Sequence, residues 1–167
     1  MRTAIACALS AIFLAAPAFA QTTPPTSPSE EEVDPYTISD ANAGANPVAG
    51  RDLFVVFHGH EGIGRIVDDL VAQVQADPRL TEIFKASDFV RLRRTLKEQF
   101  CYILNGGCSY TGRDMVSVHA DHGVTTAEFN ALVEILQAAM TREGVAFSAQ
   151  NKLLAKLAPM KRETVTR

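Results

Sequence analysis

Between Gly62 and Val74, apolar residues recur at Ile63, Ile66, Val67, Leu70, Val71 and Val74, three and four positions apart. That spacing places them on one stripe of a helix, which Asp77-Pro78 then ends. A short turn with Ile83 and Phe84 follows. A second stripe, Phe89, Leu92, Leu96, Phe100 and Ile103, predicts a helix from about Ser87 to Leu104, stopped by Asn105-Gly106-Gly107. The third stripe is Phe129, Leu132, Val133, Leu136 and Met140. It begins behind Thr125-Thr126-Ala127-Glu128, which fits a capping box with Thr125 as N-cap and Glu128 reaching back, and Gly144 closes it. A last helix starts near Ser148, buries Leu153, Leu154 and Leu157, and meets a bend at Pro159. The fold class is therefore all-α, with four main helices around one core. Cys108 to Gly123 lacks periodicity. A long irregular connection inside a compact domain is often functional, and here it suits the wall of a ligand pocket.

The N-terminal third reads differently. Arg2, an apolar run from Ala4 to Ala16 too short to span a bilayer comfortably, and the small-x-small site Ala18-Phe19-Ala20 describe a secretory signal peptide over residues 1–20. The competing reading is a retained anchor. Export to the periplasm or beyond the cell follows from the first reading. Residues 21–50 are rich in Pro, Thr, Ser, Glu, Asn and Ala and poor in large apolar side chains, which predicts a disordered linker. Residues 51–167 suffice for one domain. Loss of Arg2 with the leader takes the formal charge from −3 to −4. That mild acidity argues against nucleic acid as a partner. No second long apolar run appears, so no membrane span is expected in the mature chain. Cys101 and Cys108 remain. In an oxidising compartment a pair this close can be bridged, stabilising by about 2.5 kcal/mol on a loop-entropy model; the alternative is two free thiols.

Candidate chemistry narrows to His119 and His122. The chain has no i, i+4 histidine pair with a nearby carboxylate, no Cys-x-x-Cys and no clustered acidic loop, which argues against zinc and calcium sites. One histidine is enough for haem, whose porphyrin already supplies four nitrogens.

From about Leu53 onward the chain resembles the group 1 truncated haemoglobins. The carrying pieces are "HGHEGIGRIVDDLVAQVQADPRL", "IFKASDFVRLRR", "SYTGRDMVSVHADHGVTTAEF" and "LLAKLAPMKRETV". The most specific block is Tyr-Thr-Gly followed by Met115, His119 and the His-Gly-Val-Thr that leads into a helix. The resemblance implies a two-over-two helical sandwich around haem b, with a much-shortened proximal helix. It makes His119 the iron ligand, Phe84 the ring packed on the porphyrin and Met115 a proximal contact. It puts His122 near the haem edge, either solvated or touching a propionate. It also implies a diatomic gas as ligand and a redox partner that no motif identifies.

The sequence departs from the family's pattern on the distal side. Val71 stands where many relatives carry tyrosine, Leu96 where many carry glutamine, and Leu92 lies one turn earlier. Thr95 occupies a position that supplies a second histidine ligand in some relatives. Gln99 shares the face of Leu92, either to contact a bound ligand or to make a structural hydrogen bond. The family's usual glycine pair before the first long helix reads His58-Gly59, with His60 next to it, and its Gly-Gly-Pro reads Asn105-Gly106-Gly107. The expected function is gas binding at a histidine-ligated haem. The alternatives are a haem enzyme for nitric oxide oxidation or peroxide reduction, and a haem-free, disulfide-stapled interaction domain.

Overall fold

The structure, a computed structural model, describes residues 29–167. The expected signal peptide, residues 1–20, lies outside the described residues. The helices are α1 (Asp52–Val56), α2 (Gly59–Ala76), α3 (Thr81–Phe84), α4 (Phe89–Ile103), α5 (Met115–His119), α6 (Thr126–Arg142), α7 (Phe147–Leu157) and α8 (Lys161–Thr164). No strand occurs among the described residues. α2 packs on both α4 and α6, and α7 closes on α6. The stripe Ile63, Ile66, Val67, Leu70, Val71 and Val74 is wholly inside, as its periodicity requires.

Local chemistry sets the helix ends. Asp88 caps α4, its carboxylate accepting from the Val90 and Arg91 N–H groups. The Thr125–Glu128 capping box of α6 forms in both directions. Pro159 falls in a single 3-10 turn between α7 and α8, where the missing N–H costs little. His58 and Gly59 both take left-handed backbone, with φ of 59° and 65°. A non-glycine residue there costs about 1–2 kcal/mol. The His58 ring offsets part of this by reaching Glu143 at 2.8 Å. α1 and α5 are too short for periodicity to announce, and α5 sits inside the segment that reads as irregular.

The expected disorder of the linker is corrected for residues 29–50. Glu30 pairs with Arg91 at 3.3 Å and with Arg94 at 2.8 Å. The Glu31 N–H donates to Asp88. Tyr36 donates to the Thr111 carbonyl, and Asp40 accepts from the Tyr110 N–H at 2.7 Å. Ala43 is fully buried. Gly44, at φ 78°, lies so close to Met160 that a Cβ would meet its methyl at 2.9 Å. The segment contributes little apolar area. It is held by polar partners more than fifty residues away, which composition does not record.

The Cys101 and Cys108 sulfurs lie at bonding distance, 1.98 Å, where the chain leaves α4. None of the helices among the described residues is long and apolar enough to cross a membrane.

Candidate functional site

α5 is a single turn started by Asp114, whose carboxylate accepts from the Ser117 N–H at 2.9 Å. It ends on His119. The His119 Nδ1 lies 2.7 Å from the Met115 carbonyl oxygen. A carbonyl only accepts, so Nδ1 carries the proton and Nε2 keeps its lone pair. Burial pushes His119 below the ordinary histidine value; the Met115 carbonyl works the other way, and the neighbouring His122 adds to the lowering. The ring is thus held neutral in one tautomer, the form that ligates a metal.

His119 stands at the border of two adjoining cavities. The inner one, about 350 Å³, is lined by all six residues singled out from the sequence: Val71, Phe84, Leu92, Leu96, Met115 and His119. The outer one, about 470 Å³, has Ser87, Arg91, Arg113 and His122 among its lining residues. Phe84, Leu92, His119, Phe129, Leu132 and Thr164 line both, so the two share a wall. Volumes of this size suit a cofactor or drug-sized ligand. His122 is exposed, its ring centroid 6.5 Å from that of His119, and it faces only the outer cavity.

The polar side chains that α4 brings to these walls are already engaged. Thr95 Oγ1 donates to the Arg91 carbonyl at 3.0 Å. Gln99 is buried, and its amide donates to the Ala43 carbonyl at 2.9 Å. Arg91 pairs with Glu30 and Asp88. What α2 brings is apolar: Leu70, Val71 and Val74.

Sequence reasoning missed several wall residues. Phe129 and Leu132 were legible as a helix stripe, but their second role beside the cavity was not. Glu31, Val33 and Tyr36 wall the outer cavity from the segment that composition marks as linker. Thr164 closes the wall from α8. No local signal points to these last four.

The family model described as bacterial-like globin matches residues 52–166. The group 1 truncated hemoglobin GlbN of Mycolicibacterium paratuberculosis is 32% identical over 108 residues, covering 65% of this chain and 79% of that one. A group 1 truncated hemoglobin of Chlamydomonas moewusii is 30% identical over 96 residues, covering 56% of each. Among solved structures, the truncated hemoglobin of Tetrahymena pyriformis in its Fe(III) form superposes with a TM-score of 0.65 at 20% identity, covering 69% of this chain and 98% of that one. The 2/2 hemoglobin of Synechococcus sp. PCC 7002 gives a TM-score of 0.63 at 20% identity with the same coverage. The fold and its half-buried histidine beside a mainly apolar inner cavity are those of a haem-binding globin. The chain belongs to the bacterial-like globins and, within them, to the group 1 truncated haemoglobins.

The residues present fit the haem that this family implies. The slot is apolar where a porphyrin would lie, and His119 offers an unprotonated Nε2 at its border. Arg91, Arg113 and His122 line the outer cavity and could pair with the carboxylates of a bound haem.

Proposed function

We propose that this protein is an exported haem b protein that binds dioxygen, carbon monoxide or nitric oxide, with His119 as the iron ligand. The observation that supports the reading is the 2.7 Å hydrogen bond from His119 Nδ1 to the Met115 carbonyl, which leaves the lone pair of the other nitrogen free to ligate a metal. Haem held there would supply an iron able to bind a diatomic gas, with His119 as its protein ligand. Met115 orients the ring through its carbonyl. Phe84 would pack against the haem, and Val71, Leu92 and Leu96 would form the apolar wall of the ligand pocket. Val71, Leu92 and Leu96 carry no hydrogen-bond donor, and the nearby Thr95 and Gln99 donate to backbone carbonyls.

The same wall ranks an enzymatic role second. Peroxide reduction needs a group that moves a proton at the reacting atoms. Val71, Leu92 and Leu96 have none, and an amide such as Gln99 is no base.

Substitution His119→Ala tests the site. It should abolish stable haem binding or leave the haem spectrum visibly altered; an unchanged absorption spectrum would assign the ligand elsewhere. Export is tested by the N-terminus and mass of protein recovered from outside the cytoplasm. A chain starting at Gln21 and two hydrogens lighter than its reduced form supports both the leader and a Cys101–Cys108 bridge. A retained Met1 with two free thiols refutes both.

A further inference from the structure

Away from the haem cavity, three metal-ligating side chains converge on the turn that follows α4. His60 Nδ1 lies 3.5 Å from Cys101 Sγ and 3.7 Å from Cys108 Sγ. None of the three lines either cavity. We propose that, once the cysteine pair is reduced, His60, Cys101 and Cys108 bind a zinc ion through two thiolates and one imidazole, with water as the fourth ligand.

The distances carry the argument. Zinc–sulfur and zinc–nitrogen bonds of about 2.3 and 2.05 Å at a tetrahedral angle place sulfur and nitrogen about 3.5 Å apart. Both observed nitrogen–sulfur separations are already close to that value. The remaining edge, sulfur to sulfur, must be about 3.8 Å in such a site. It becomes available when the bond between the cysteines is broken. The two Cα atoms lie 5.7 Å apart, so rotation about the side-chain bonds opens the sulfurs with little backbone movement.

The surroundings hold this arrangement. Cys101 is buried and fixed in α4, and the Gly106 N–H donates to its carbonyl at 2.8 Å. A Cβ on Gly106 would meet the Phe54 ring at 2.4 Å and Cys101 Sγ at 2.7 Å, so only glycine lets the turn pass this close. Phe54 packs edge-on against the His60 ring, centroids 4.9 Å apart. His60 is exposed, which gives an ion entry and leaves room for water.

The chemistry balances with a dithiol as reductant. Its two electrons and two protons pass to the Cys101 and Cys108 sulfurs, giving two thiols and leaving the reductant as a disulfide. Zinc then displaces both thiol protons, so binding tightens as pH rises. The zinc-bound dithiol and the disulfide exclude each other. The ion shields the thiols until an oxidant takes the pair and releases it.

Haem-loaded protein, reduced with a phosphine and passed free of it, is titrated with Zn²⁺ against a chromophoric chelator. The reduced protein should take up one more equivalent than the oxidised protein. X-ray absorption at the zinc edge should read two sulfurs at about 2.3 Å and lighter ligands at about 2.0–2.1 Å. His60→Ala should weaken binding at least tenfold, and Cys108→Ser, a change at a half-buried turn position, should abolish the two-sulfur signature with the haem spectrum intact. Equal zinc uptake by oxidised and reduced protein overturns the proposal. So does reduced His60→Ala that binds as tightly as wild type.

Discussion

Gln99 is the residue whose two possible roles differ most in what they predict. Its amide lies beside the inner cavity but donates to the Ala43 carbonyl at 2.9 Å, with both residues buried. Gln99→Leu removes that donor and leaves the carbonyl unpaired in a dry place, which costs about 1–3 kcal/mol. Leucine is close in size, and it meets the sulfurs of Met115 and Met160, which lie 3.7 and 3.8 Å from the amide. Apolar contact there recovers part of the loss, so the net destabilisation should be about 1–2 kcal/mol. For a domain of this size the melting temperature should fall by about 3–8 °C. Thermal unfolding of the haem-loaded variant, followed by helical circular dichroism, reads that shift. Stopped-flow measurement of dioxygen release should give a rate within about a factor of two of wild type, because the amide serves Ala43 and not a bound gas. A variant that melts normally but releases dioxygen tenfold faster would show a ligand interaction worth about 1.4 kcal/mol, and the structural reading of Gln99 would be wrong.

Three further outcomes follow from the same geometry. Val71→Tyr places a donor on the apolar wall and should slow dioxygen release about tenfold or more, since such a bond to a partly charged acceptor is worth about 1.5–3 kcal/mol; an unchanged rate would mean that some other group already donates. Wild type should correspondingly favour carbon monoxide over dioxygen more strongly than Val71→Tyr does, measured as the ratio of the two affinities, and a ratio that the tyrosine leaves unmoved contradicts the apolar wall. Glu143 is held down to about 2, first by the Arg65 guanidinium and then by His58. A depressed carboxylate contributes stability above its ordinary value of 4.5 that is lost as pH falls towards 2. Glu143→Gln should therefore show a flatter decline in stability across that window, read by chemical denaturation at a series of pH values; a decline as steep as wild type would assign the acid sensitivity to other groups.

Local pattern alone determined the helical architecture. Period-3.6 stripes marked α2, α4 and α6, because a helix must bury one face and the residues on it repeat in sequence. The capping box at Thr125 and Glu128 and the stop at Asn105-Gly106-Gly107 were legible for the same reason, since their hydrogen bonds run between residues three to five apart. The motif around Met115 and His119 was readable as a resemblance, and the structure sets both beside the cavity with the four apolar residues expected there. Tertiary structure decided what depends on distant partners. Glu30, Tyr36 and Asp40 look solvated in sequence. They order because Arg91, Arg94, Thr111 and Tyr110 offer matching groups across 61 to 75 positions. Gln99 had two open roles until the fold brought the Ala43 carbonyl to its amide. His60 likewise met Cys101 and Cys108 only because α2 starts beside the end of α4 and the turn after it. A hydrogen bond or a ligand triangle needs geometry to within a few tenths of an ångström, and that is set by packing, not by spacing along the chain.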